Sequence, residues 1–411
     1  MSGVLAFSIL LSTRNTDLMT EHDYTISLNY QHRIRFTRDA FSEGNRMLAR
    51  LLQTNGHAKV LIFLEDSVAE AFPKLEQQIA EYFASTPGLE LKRVVIAPGA
   101  EICKRDEKVL HSVWDTVNAE KIDRHSYIFA IGGGAFLDVI GFGASTSHRG
   151  VRLVRFPTTT LSQDDSGVGV KNGINAFGKK NWLGSFAVPY AVVNDFAFLH
   201  TQPEDVRRDG LVEAVKVALV RDGAFFDWLE DNVQLLAQLR PHALEEAVER
   251  SAILHAEHIA QGGDPFELGS SRPLDYGHWA AHKLEQLTDF GMTHAQAVSV
   301  GLALDTLYSW RTGRLEEKDA KRVLAILHGL KLPLYHEGFE LRHENGRRKV
   351  FDGLEEFREH LGGELTVLLL RGVGAGEDVH FMDESLVEFC MQMLKSYAAA
   401  STSEEREKLF H

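Results

Sequence analysis

YIFAIGGGAFLDVIGFGASTSHRGVRLVRFPTTTLSQDDSGVGVKNGINAFGKKN, residues 127 to 181, decides the fold. Tyr127 to Ile131 is a short apolar run of buried-strand character. It ends in Gly132-Gly133-Gly134, and an apolar helical pattern begins at once. A strand, a glycine turn and a helix bring backbone close to a phosphate group. Glycine carries no Cβ, and the first turn of a helix presents free N–H groups. A second strand, Val151 to Phe156, leads into Pro157-Thr158-Thr159-Thr160, and a polar, glycine-rich stretch follows with Asp165, Lys171, Asn175, Lys179, Lys180 and Asn181. Small and charged residues at that density serve loops around a site rather than a core.

Working outward, Tyr24 to Tyr30 alternates as a strand would, and Lys59 to Leu64 and Lys92 to Ala97 have the content of buried strands. Helical stretches such as Ala69 to Phe83 separate them, and Tyr190 to Asn194 continues the series. Strands alternating with helices predict a parallel sheet covered on both faces, with its ligand at the carboxyl ends of the strands. From about residue 200 helical periodicity takes over, in Leu211 to Glu230, Pro241 to Gln261, Gly277 to Leu287, Ala295 to Arg311 and Glu316 to His328, with one late strand-like run, Leu365 to Leu370. The expected architecture is an α/β, doubly wound nucleotide-binding domain over residues 21–199, preceded by an extension at 1–20. A mostly α-helical domain over 200–411 follows, closing in a charged, frayed helix from 396. The cleft between two packed domains is the default site.

The 411 residues exceed one ordinary core, while 44% apolar and 25% charged content is that of a globular protein. A net charge of -14 argues against nucleic acid and anionic membranes as partners. Two cysteines, Cys103 and Cys390, make no disulfide framework and suit a reducing cytoplasm. The apolar opening Gly3 to Leu11 has no basic residue before it, so no signal peptide is expected, and no run reaches membrane-spanning length.

Chemistry gathers in three further places. Glu213 and Lys216 share a helical face among apolar neighbours, where a charge needs a partner or a metal. A helical salt bridge would satisfy them equally well. His278 and His282 lie four apart, and His294 opens the next helix. One carboxylate and two histidines with a position left open make a catalytic zinc pattern, although histidine pairs at that spacing are common. Glu101 and Lys104 in GAEICK, and Asp66 at a strand end, are placed to hold a ribose or phosphate, or to cap helices. There is no GxGxxG.

Taken in order along residues 60 to 375, these motifs resemble the sugar phosphate cyclase superfamily, best known from 3-dehydroquinate synthase. The resemblance implies NAD contacts from Gly133, Gly134 and Asp138 in GGGAFLDVIGF, from Glu101 and Lys104, and from Thr158 and Thr159 in PTTTL. DSGVGVKNGIN is similar to the family's DSSVGGKTGIN and carries over Asp165 and Lys171. GKKN supplies Lys180 and Asn181, and HRG supplies Arg149. Glu213, His278 and His294 match the metal ligands, Lys216 a phosphate-binding lysine and His282 a substrate-contacting histidine. The implied cofactors are NAD and zinc, with cobalt as a substitute, and the implied assembly is a homodimer. The implied reaction oxidises a secondary alcohol, eliminates phosphate, reduces the ketone again and closes a ring by an intramolecular aldol step. NAD returns unchanged.

Departures bear on the substrate. The family's LNFGHT is LDYGHW here, with Asp275 in place of an amide. Its C-terminal DKK is replaced in EFREHLGG, residues 356 to 363, and no lysine stands around Glu257 and His258. Arg272 remains, one residue closer to the metal histidine. An acid without those lysines is a poor carboxylate receptor, since like charges repel. EFREHLGG and the acid resemble cyclases of sedoheptulose 7-phosphate, such as 2-epi-5-epi-valiolone synthases, although those generally lack a histidine at His282. DYGHWAAHKLEQL with ALDTLYS most resembles the EboD-like branch. The expected substrate is a neutral-headed sugar phosphate, sedoheptulose 7-phosphate in the first place. The alternatives are 3-dehydroquinate synthase proper, a polyol dehydrogenase of the glycerol dehydrogenase type, and an inactive NAD-binding partner.

Overall fold

Why the chain forms a parallel sheet is visible in the parity of its strands. In the computed structural model, which describes residues 22–411 apart from 53–56, 178, 263–265, 267–273, 361 and 362, the sheet has six strands in the order β1-β8-β5-β4-β2-β3. These are β1 (Ile34–Thr37), β2 (Ala58–Glu65), β3 (Leu89–Ala97), β4 (Tyr127–Gly132), β5 (Arg152–Pro157) and β8 (Ala191–Asp195), and every pairing is parallel. Ile62, Leu64, Tyr127, Phe129 and Ile131 enter one core with Ile79 and Phe83. The alternate residues Leu61, Phe63, Ile128 and Ala130 enter another with Val113, Phe136 and Ile140. With both faces buried, each strand is a continuous apolar run, as the sequence suggested.

The chain divides after Gln31 into two units. In the first, residues 22–30 hold no strand, and Tyr24, Ile26 and Leu28 are exposed. The strand expected over Tyr24–Tyr30 is therefore corrected. Alternation describes a half-buried surface, and no ladder buries one here. Two helical expectations also break: Ala69 to Phe83 divides at Phe72-Pro73 into Asp66–Ala71 and Leu75–Ala84, because proline lacks the N–H that a helix interior needs. Leu211 to Glu230 divides at Asp222, whose carboxylate accepts from Phe225 N at 3.0 Å and caps Gly223–Asp231. The late strand β9 (Val367–Gly372) has an antiparallel partner, β10 (Ala375–Val379). The C-terminal segment is not frayed, since Thr402 and Glu405 form a capping box and Phe410 packs on Trp310 and Tyr397.

Between β5 and β8 runs an antiparallel hairpin, β6 (Lys171–Ala176) with β7 (Lys179–Phe186). The loop leading into it is wound on Arg155, a fully buried guanidinium on β5. Arg155 donates to the carbonyls of Gly167 (3.2 Å), Gly169 (2.8 Å) and Lys171 (2.7 Å) and to Asn172 Oδ1 (2.6 Å). Such a set of acceptors is what makes a buried guanidinium tolerable. Residues 162–166 form a π-turn, a conformation frequent at functional sites.

In the helical half, helix His278–Leu287 starts at Gly277, whose φ is +78° and whose amide donates to Asp305 Oδ2 at 3.1 Å. A Cβ added to Gly301, on helix His294–Arg311, would meet the Gly277 carbonyl oxygen at 1.9 Å. The helices touch backbone to backbone, and that closeness brings His278 beside His294.

Candidate active site

The carboxyl ends of the strands form the floor of the site. β4 ends in the glycine turn, and helix Gly134–Thr146 starts immediately. Glu65, the last residue of β2, is buried against this turn and accepts from Gly133 N at 2.6 Å. A Cβ on Gly99 or Gly132 would collide with its side chain. Asp66 is exposed, accepting from its neighbour Ser67 N at 2.8 Å and from Gly99 N at 3.3 Å. The carboxylate bonded to the turn is thus Glu65, one position before the Asp66 that the sequence singled out. Strand parity was the available signal.

Beyond the turn, buried Lys104 donates to Asp138 Oδ2 at 2.5 Å and to Asn181 Oδ1 at 2.7 Å. Glu101 Oε1 accepts from Asn175 Nδ2 at 2.8 Å, and Asn175 Oδ1 accepts from Asn181 N at 2.8 Å. Asn181 has φ +53°, a conformation asparagine tolerates better than most residues. Glu101, Lys104, Asp138 and Asn181 therefore form one network that holds the hairpin against the glycine-turn helix. Thr158 is buried, with its amide on the Gly132 carbonyl at 3.0 Å, and Thr159 Oγ1 bonds Ser162 Oγ at 2.9 Å.

The second cluster lies on helices. Leu211–Arg221 is buried from Leu211 to Val220 and carries Glu213 and Lys216 inward. The Lys216 ammonium lies against the Glu213 carboxylate and 3.7 Å from Asp165 Oδ1. His255, on helix Pro241–Gln261, donates from Nδ1 to the same Asp165 oxygen at 2.7 Å. One donor atom from each of Glu213, His278 and His294 lies within 4.8 Å of the others. His278 Nδ1 sits 3.0 Å from the Tyr276 carbonyl, and His294 Nδ1 sits 3.1 Å from Glu285 Oε2. Both partners only accept, so each ring carries its proton on Nδ1 and leaves Nε2 for a metal. The Glu213 oxygens make no hydrogen bond of good geometry despite full burial. The donor set fits zinc: one carboxylate, two imidazoles, and an open position. His282, exposed, stacks on His294 with ring centroids 5.8 Å apart.

Electrostatics follow from burial. His278 is held well below the usual imidazole range by burial and then by Lys216, so the ring is neutral. Burial pushes Glu213 up, against the pull of Lys216. Asp164 is buried with neither carboxylate oxygen hydrogen-bonded, and burial beside Glu213 and Asp165 raises it well above the carboxylate range. For Asp165 burial acts in the same direction, but Lys216 and His255 overcome it and hold the carboxyl well below. Lys216 is raised: burial opposes its charge, yet Asp165 and Glu213 outweigh burial, with Asp275 adding. Glu285 would be raised by burial, but His294 and Lys180 draw it down to about 2.

Not every expected residue joins the cluster. Arg149 is exposed beyond the far end of the 13-residue glycine-turn helix. At about 1.5 Å per residue that is ~20 Å from the turn, so the same chain's site does not receive it. Lys171 is exposed at the head of β6, and its carbonyl accepts from Arg155. Lys180 Nζ donates to Glu285 Oε1 at 2.7 Å. Arg272 lies outside the described residues. His255 and Glu285 were missed, although Glu285 falls on the helical face of His278 and His282 (positions 0, 4 and 7). Buried Cys103 and Cys390 have thiols pushed up to about 12 by burial and take no part.

Comparison with known proteins agrees with this geometry. Residues 94–209 match the family model described as 3-dehydroquinate synthase N-terminal, and residues 210–348 the one described as 3-dehydroquinate synthase C-terminal. A 3-dehydroquinate synthase of Halorhodospira halophila is 35% identical over 291 residues, covering 71% of this chain and 79% of that protein. The structure of a 2-epi-5-epi-valiolone synthase from Streptomyces hygroscopicus subsp. jinggangensis, with NAD+ and Zn2+ bound, superposes with a TM-score of 0.80 at 25% identity, covering 91% of this chain and 99% of that one. A 2-deoxy-scyllo-inosose synthase complexed with carbaglucose-6-phosphate, NAD+ and Co2+ shares the fold, at a TM-score of 0.71 and 21% identity over 87% of this chain and 96% of that one. Among the described residues no helix is long and apolar enough to cross a membrane.

Proposed function

The chain belongs to the 3-dehydroquinate synthase family of the sugar phosphate cyclase superfamily, and from that premise we propose a cyclase that uses NAD and zinc on a neutral-headed sugar phosphate, sedoheptulose 7-phosphate in the first place. Glu213, His278 and His294 would hold the metal, which supplies polarisation of the reacting hydroxyl. The glycine turn with Glu65 and the Lys104–Asp138 pair would hold NAD, which supplies reversible oxidation of one alcohol. A carboxylate at the turn suits ribose hydroxyls.

The chain's own residues do the rest. Lys216 is the buried cation that can meet a phosphate, and its raised pKa keeps it protonated throughout. Asp165, held ionised by Lys216 and His255, can orient a hydroxyl. His282, stacked on His294 and exposed, can exchange protons with water. Low-dielectric surroundings strengthen each of these contacts.

One observation carries the choice of substrate. Asp275 stands close enough to act on Lys216, and its carbonyl accepts from the amide of His278, so an acid beside the metal site disfavours a carboxylated sugar. The test is phosphate release by metal-loaded protein with NAD, comparing sedoheptulose 7-phosphate with the carboxylated heptulosonate phosphate while NADH is followed. Release from the first without NADH build-up is expected. Faster release from the second would favour the other reading, 3-dehydroquinate synthase proper, for which the name of the Halorhodospira relative speaks. Net NADH from a simple polyol would point to a dehydrogenase.

A further inference from the structure

Glu285 is a buried carboxylate with both oxygens committed: Oε2 accepts from His294 Nδ1 at 3.1 Å, and Oε1 accepts from Lys180 Nζ at 2.7 Å. The first bond fixes the proton of His294 on Nδ1 and leaves Nε2 as the nitrogen able to ligate. The second takes hold of the β6–β7 hairpin. The neighbour of Lys180, Asn181, is gripped from the other side by Lys104. Two lines of bonding, one from the metal ligands and one from the glycine-turn helix, thus meet at adjacent hairpin residues.

We propose that Glu285 is a positioning residue that orients His294 for the metal and moors the hairpin to the metal site through Lys180. A carboxylate behind a ligating imidazole raises its donor strength and locks its ring, and removing such a partner weakens metal binding by roughly 10–100-fold. The lysine shares the same carboxylate, so the hairpin's position and the histidine's orientation depend on one side chain. Glu285 also falls in a second donor group with His282 and His294, so the test must separate a positioning role from direct ligation.

Zinc affinity is measured by chelator competition on purified full-length protein without substrate or NAD, so the outcome stands whether or not the cyclase reading does. Glu285→Gln is expected to weaken affinity roughly 10–100-fold, with the thermal midpoint of the metal-free protein little changed. Unchanged affinity would overturn the proposal, as would a loss as complete as that of Glu213→Gln, which would make Glu285 a ligand. Lys180→Met is expected to leave affinity equal or tighter while speeding hydrogen exchange over residues 171–186. Weakening like that of Glu285→Gln would overturn the assignment to the carboxylate. Should Glu285→Gln fail to fold, ring 15N shifts of His294 in the native metal-loaded protein decide. A proton on Nδ1 is expected, and a proton on Nε2 is the overturning result.

Discussion

Two lysines are buried in this molecule beside chemistry, and their surroundings differ. Lys104 meets one carboxylate, Asp138, and one amide, Asn181. That small set closes on itself. Lys216 lies against Glu213 and Asp165, with Asp275 near and neutral Asp164 behind. There several acids crowd one lysine, beside the His278 imidazole that burial and Lys216 keep neutral. The first arrangement is complete as it stands and serves to hold a hairpin. The second gathers more acids than lysines, which is a physical reason to place a divalent metal there.

The comparison can be broken by experiment. Lys216→Met should cost about 3–5 kcal/mol of stability in metal-free protein, because it strands buried carboxylates. Urea unfolding measures it. Zinc should then raise the melting temperature of that variant more than that of the native protein. An equal or smaller rise would count against the charge argument. Lys104→Met should cost less, about 1–3 kcal/mol, since Asp138 keeps partial access to water.

A third buried group sharpens the contrast, for Asp305 has no cation beside it among the described residues. It accepts only from Trp279 Nε1 (2.9 Å) and Gly277 N (3.1 Å), and burial pushes its carboxyl up to about 7. The unfolded chain releases this proton near pH 4, whereas the folded protein keeps it to about pH 7. Stability should therefore fall as pH rises through that window, by at most about 1.4 kcal/mol per unit from this group. Asp305→Asn should flatten that part of the profile. The smallest effect is expected at His255→Asn, about 1 kcal/mol from a lost charge-assisted bond to Asp165, read by thermal melting.

What could be read in the sequence tracks how local the cause is. Apolar runs such as Tyr127–Ile131 declare a doubly buried strand by themselves, and three glycines before a helix declare a turn. The metal set Glu213, His278 and His294 rested on resemblance, because histidine spacing alone is ambiguous. Residues placed by a partner across the fold are the ones a linear reading leaves open. Glu65 and Asp66 differ only in strand parity. Arg149 follows its motif in sequence, yet a helix carries it to the opposite end of the strands. Lys180, expected at the substrate and the cofactor, donates to Glu285, a contact spanning 105 residues. Tyr24–Tyr30 has the pattern of a strand and lacks the ladder that would make one.

The backbone contact between Gly277 and Gly301 has a mechanical consequence. It works as a rivet through two helices, each of which carries one of the histidines facing Glu213. Neither helix can slide along the other without opening that joint, so His278 and His294 should come apart in a single event. Heating should then release zinc and melt the helical half together, with no intermediate that has lost one histidine and kept the other.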